Sequence, residues 1–117
     1  MLDYTEEDVG NIVSLEHVNL QVPDQAMATL FYIVGLGLTR DPYLNVGLGN
    51  MWANIGEQQF HLPTRSAQRI SGNIDLVLPD LKALGERLSS VEPALKATQF
   101  SWSSNQDHLA VTCPWGN

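Results

Sequence analysis

The chain has 117 residues, with 13 acidic against 6 basic side chains and a formal net charge of −7. That length suits one domain of two packed modules, large enough to bury roughly two thirds of its unfolded surface. Acidity without a basic cluster excludes a nucleic-acid partner held through its phosphates. No apolar run approaches the ~20 residues of a membrane span, the lone Cys113 has no internal disulfide partner, and the acidic stretch Met1–Asp8 is the reverse of a signal peptide. A cytoplasmic protein without membrane contact is therefore expected.

Residues 1–13 read as an N-terminal extension. The domain proper is expected over 14–117. It opens with His17-Val18-Asn19-Leu20-Gln21-Val22, whose even positions are apolar and whose odd positions are polar, the pattern of a strand with one buried face. Pro23 stops the strand and Asp24 offers an N-cap, after which Ala26, Leu30, Phe31 and Val34 recur at helical spacing. Gly35-Leu36-Gly37 ends that helix. Three apolar runs follow, Leu36–Thr39, Asn50–Ile55 and Gln58–Leu62, separated by Asp41-Pro42, Gly47 to Gly49 and Gly56. Module one, residues 14–64, thus reads βαβββ.

Module two, residues 70–117, repeats the plan with less chain. Asn73-Ile74-Asp75-Leu76-Val77-Leu78-Pro79-Asp80 restates His17–Asp24 at a constant offset of 56 positions (73 minus 17). The pattern predicts a strand over 73–78, a helix over 80–91 with Leu81, Leu84, Leu88 and Val91 on its apolar face, and strands at Thr98–Trp102 and Leu109–Cys113. The partner of the strand carrying His61 would begin at position 117, so the second module is expected to lack its last strand. The fold class predicted is α+β, with paired βαβββ modules forming a curved mixed sheet around a trough.

The polar strand faces carry the candidate chemistry. His17 lies on the polar side of the first strand and His61 shares its side with Gln59, while Phe60 and Leu62 point to the helix. Two neutral imidazoles from separate strands are half a coordination sphere for zinc, iron, nickel or manganese. Asn19, Gln21, Trp52, Gln59, Asn73 and Asp75 are the candidate ligand-binding residues, with Trp102, Trp115, Tyr43 and Met51 as further candidate lining. His108 reads as a satisfied histidine. Cys113, with no basic neighbour and Pro114 beside it, reads as a packed residue rather than a nucleophile.

Taken together, Glu16–Asp24, Leu30–Gly37, Gln59–Leu62, Gly72–Asp80 and Cys113–Asn117 resemble the vicinal oxygen chelate superfamily, the glyoxalase, bleomycin-resistance and extradiol-dioxygenase group. The resemblance implies paired βαβββ modules and matches His17 and His61 to the family's first two metal positions. It departs at the third, where the family's usual His is Asn73, and the fourth, a Glu on the last strand, has no counterpart. The expectation is a small-molecule binding protein, catalytically incomplete. The alternatives are an enzyme of lyase, isomerase or dioxygenase type using one divalent metal on His17 and His61, and a structural or assembly domain. An unpaired sheet edge in module two also implies a homodimer.

Overall fold

The computed structural model describes residues 14–42 and 49–117; the N-terminal extension and Tyr43 lie outside the described residues. The first half builds one four-stranded sheet from β1 (His17–Asn19), β2 (Thr39–Arg40), β3 (Asn50–Ile55) and β4 (Gln58–Pro63), in the order β1-β4-β3-β2. β4 is the pivot. It pairs antiparallel with β3 through the hairpin at Gly56, which has φ 61°, and parallel with β1, where His17 stands opposite Gln59 and Asn19 opposite His61. The parallel pairing runs on past β1: Leu20 N donates to His61 O and Val22 N to Pro63 O. A parallel pair needs a crossover, and the helix after Asp24 supplies it.

Asp24 caps that helix as expected, its Oδ1 accepting from Met27 N at 3.0 Å. The helix begins as α1 (Gln25–Ala28) and continues as a π-helical segment (Thr29–Gly35). Its buried face is Ala28, Phe31, Tyr32 and Gly35, whereas Ala26 and Val34 are exposed. The face expected from the apolar residues is therefore rotated. Tyr32, absent from that expected face, is 3% exposed, packed against the Phe31 and Phe60 rings with its hydroxyl reaching Cys113. Burial, and secondarily Cys113 beside it, push the Tyr32 phenol far above its ordinary range.

α2 (Leu81–Leu95) is capped by Asp80, whose Oδ1 accepts from Ala83 N at 2.9 Å, and buries Leu84, Leu88, Val91 and Leu95. It crosses the first helix closely because Gly35 has no side chain: a Cβ there would meet Val91 Cγ2 at 3.3 Å. Behind it, β5 (Ser101–Ser104) and β6 (Leu109–Thr112) form a separate antiparallel hairpin. Leu20, Val22, Phe31, Tyr32, Met51, Ala53, Phe60, Leu62, Val91, Leu95 and Cys113 form the core between the four-stranded sheet and the helices.

Module one is thus βαβββ as read from the sequence, and module two is a capped helix followed by a hairpin. Residues 73–78, expected as a strand, form none. The alternation is present but the segment has no strand beside it, and Ile74 and Val77 face solvent, Val77 being fully exposed. Extended backbone becomes a strand only when another backbone pairs with it.

Candidate functional site

Along β3 and β4, side chains alternate between the core and the opposite, open face of the sheet. Met51, Ala53, Phe60 and Leu62 go inward. Their neighbours Asn50, Trp52, Asn54, Gln59 and His61 go outward, and the register sets Trp52 and Asn19 on either side of His61. The open face therefore gathers His17, Asn19, Trp52, Gln59 and His61, five of the residues singled out from the sequence.

The His61 ring lies flat on the Trp52 indole, with centroids 4.1 Å apart and planes at 11°. The His17 ring meets Trp52 edge-on at 5.0 Å. His61 is held at both nitrogens: Nδ1 is 2.6 Å from Asn19 Oδ1 and Nε2 is 2.7 Å from Asn50 Oδ1. Gln59 Nε2 donates to Asp41 Oδ2 and to Asn54 Oδ1, both at 2.8 Å. Asn50 was not picked out from the sequence. Its signal was available in the outward parity it shares with Trp52 and Asn54, but which outward residue faces His61 depends on strand register.

A neutral imidazole has one donor and one acceptor nitrogen, so two carbonyl oxygens suit it only when protonated. Burial, and secondarily the nearby His17, hold His61 below the ordinary imidazole value. A neutral ring is satisfied on both sides when one of the two amides presents its NH2 in place of its oxygen, an exchange that leaves the amide's shape unchanged. The sign for stability follows. Below about pH 6.5 the unfolded chain takes up a proton that folded His61 resists, so stability is complete above that value and declines as the pH falls through it. Urea midpoints measured from pH 8 to pH 5 should drop less for His61→Gln than for the unaltered protein. Parallel curves would mean that His61 titrates normally in the fold.

The open face does not fit a metal ion. Two imidazoles sharing an ion at the usual 2.0–2.1 Å bond length place their centroids about 4.5–5.2 Å apart for bond angles near 90–110°. His17 and His61 are 6.4 Å apart, with Trp52 packed against both rings. Neither nitrogen of His61 is free, and His17 Nδ1 is buried without a hydrogen-bond partner, its nearest charge being Glu16 at 3.6 Å. Among the described residues no three His, Cys, Asp or Glu side chains gather to complete a site.

Asn73 and Asp75 are elsewhere. They line a cavity of about 700 Å³ together with Leu20, Phe31, Phe60 and β6. Leu20 and Phe60 are the chain neighbours of Asn19 and His61 and point the opposite way, so this cavity lies on the helix side of the sheet. Gln21 sits at the margin, its N–H donating to Gln68 Oε1. The remaining aromatic candidates serve packing: Met51 is fully buried, Trp115 lies against the core, and Trp102 packs over Gly85 and donates its indole N–H to Glu92. Cys113 is buried, its Sγ accepting from the N–H groups of Trp115 and Asn117. His108 is exposed beside Asn105.

No family model matches the sequence, and no curated protein matches it. Solved structures do. A protein assigned to the glyoxalase family, from Bacillus anthracis, aligns over 92% of this chain and 92% of its own at 18% identity, with a TM-score of 0.59. A glyoxalase/bleomycin resistance protein/dioxygenase from Alicyclobacillus acidocaldarius aligns over 89% of this chain and 86% of its own at 13% identity, with a TM-score of 0.52. The chain has the vicinal oxygen chelate fold. A Vibrio cholerae integron cassette protein shares it at 16% identity, over 93% of both chains, with a TM-score of 0.52. At such identities the likeness extends to the vicinal oxygen chelate backbone and not to particular side chains. Among the described residues no helix is long and apolar enough to cross a membrane.

Proposed function

We propose that this vicinal oxygen chelate domain binds a planar small organic molecule on the open face of its four-stranded sheet, without a metal. The observation that carries the reading is the Trp52–His61 stack with His17 at its edge, flanked by the amides of Asn19, Asn50 and Gln59. Flat rings already held in place lose little freedom when another ring joins them, and the amides offer both donors and acceptors at the rim. The net charge of −7 favours a cationic ligand over an anionic one. A metal-dependent reaction would first require His61 to give up one amide and separate from Trp52.

The test uses proflavine, a planar cation, titrated against the protein and followed by fluorescence anisotropy. Saturable binding is expected, and Trp52→Ala should weaken it about tenfold, in line with the ~1–3 kcal/mol of an aromatic stacking contact. Trp102→Ala, on the far side of the molecule's core, should leave it unchanged. Equal loss in both variants, or no saturation with the unaltered protein, would overturn the reading.

A further inference from the structure

The aromatic stack on the open face has two ends, and the strand order β1-β4-β3-β2 decides what stands beside each: the His61 ring on β4 looks toward β1, and the Trp52 indole on β3 looks toward β2. The three ring centroids are 4.1 Å apart for Trp52 and His61, 5.0 Å for His17 and Trp52, and 6.4 Å for His17 and His61, which makes nearly a right angle at Trp52. His17 therefore stands at the rim of the indole. The second face of the indole meets no other ring among the described residues.

Arg40 lies opposite Ala53, so the next step of the β2–β3 register sets Asp41 opposite Trp52, and Asp41 N donates to Trp52 O at 2.8 Å to continue the ladder that far. Residues directly opposite in a ladder project from the same face. A carboxylate thus stands on the β2 side of the indole, whereas the residue opposite His61 at the other end of the stack is Asn19, a neutral amide. A cation joining the stack gains twice at the Trp52 end, because indole is the best aromatic face for a positive charge and Asp41 carries the opposite one. Hydrogen bonding also fixes the polarity of this corner. A carboxylate only accepts, so Gln59 must present its NH2 to Asp41 Oδ2, and the same nitrogen donates to Asn54 Oδ1, both at 2.8 Å, while Asn54 Nδ2 donates to Thr39 Oγ1 at 3.3 Å. Turning either amide over would set two like groups against each other. Gln59 Oε1 is thereby held as an acceptor on the amide that grips Asp41, and a carboxylate with about four lone-pair sites accepts further donors without releasing Gln59.

We propose that Asp41, gripped by Gln59, is the specificity-determining residue of the open face, and that its ligand is a planar cation with N–H donors at the edge of its ring, stacked on Trp52 with an N–H on the Asp41 carboxylate. Planar cations of the same shape whose nitrogens are fully alkylated carry the charge without the donor and are the poorer ligands. A site built to accept hydrogen bonds discriminates strongly against an analogue that cannot donate them, because its acceptors are then covered and left unpaired. The inference rests on the open-face reading and adds to it the residue that selects the ligand and the donor pattern that it selects.

The test compares proflavine with 10-methyl acridine orange, which has the same ring and charge with every N–H replaced by N–CH3, each titrated by fluorescence anisotropy against the unaltered full chain and Asp41→Asn. The unaltered protein should bind proflavine at least tenfold more tightly than the methylated dye. Asp41→Asn should weaken proflavine at least tenfold and the methylated dye less than threefold, so that the preference disappears while the stack still binds. Proflavine binding unmoved by Asp41→Asn but weakened by Trp52→Ala would overturn the role of Asp41 and leave the open-face reading standing. A preference that persists in Asp41→Asn would belong to the bulk of the methyl groups, and an equal loss of both dyes would belong to charge alone or to a disturbed stack; either result would overturn recognition of the donor. No saturable binding of either dye to the unaltered protein would remove the open-face reading, and this inference with it.

Discussion

Leu62→Ala is expected to destabilise the fold by about 2–5 kcal/mol, the usual range for emptying a fully buried leucine site. Leu62 has no exposed surface and sits where β4 presses on the first helix; its backbone oxygen accepts from Gln25 Nε2 at 2.7 Å. The residue one step earlier provides the control. His61→Ala removes a stacked ring and two hydrogen bonds from a partly open surface, where the freed amides of Asn19 and Asn50 can turn to water, so a loss of about 1 kcal/mol is expected. Urea unfolding followed by tryptophan fluorescence separates the two, with the midpoint shifting and the slope unchanged. Equal losses would mean that the open face is part of the core, and the ligand platform would lose its basis.

Gly37→Ala should cost about 2–3 kcal/mol, for two separable reasons. Gly37 turns the chain between the first helix and β2 at φ 78°, a conformation that disfavours any residue with a Cβ by about 1–2 kcal/mol. The new methyl would also fall 2.6 Å from Arg87 Nε and displace the guanidinium that lies across the turn. Arg87 would then lose the bond from its Nη2 to Leu36 O, 3.3 Å in length, which ties α2 to the end of the first helix. Comparing Gly37→Ala with the same change made in Arg87→Ala separates the two, because the backbone strain remains when the guanidinium is gone. Identical losses in both backgrounds would assign the whole effect to φ.

Much of this molecule is written locally. The Pro-Asp pairs at 23–24 and 79–80 stop an extended run and cap a helix, and both caps form because the carboxylate and the amide it accepts from are three residues apart. The alternation in β1, β3 and β4 fixes which side chains face the core and which face outward, so the outward parity of His17, Asn19, Trp52, Gln59 and His61 is legible in the sequence, whereas the same parity wrongly grouped Asn73 and Asp75 with them. α2 runs four residues past the predicted end, through Pro93 to Leu95, because Leu95 is fully buried and that packing outweighs a proline one turn from the helix end.

What the sequence could not decide depends on partners distant along the chain. His17 and His61 look like two ligands in waiting, and only the register showed Trp52 stacked on one and edge-on to the other, with Asn50 and Asn19 holding both nitrogens of His61. The inward turn of Tyr32 packs it against the Phe60 ring and brings its hydroxyl to Cys113, 81 positions later (113 minus 32). Residues 17–22 and 73–78 carry the same alternation and the same closing Pro-Asp, yet one is a strand and the other is not. A helix draws its hydrogen bonds from its own neighbours, so the sequence alone marked where both helices begin; a strand draws them from another backbone, and the tertiary structure provides one beside His17 and, among the described residues, none beside Asn73.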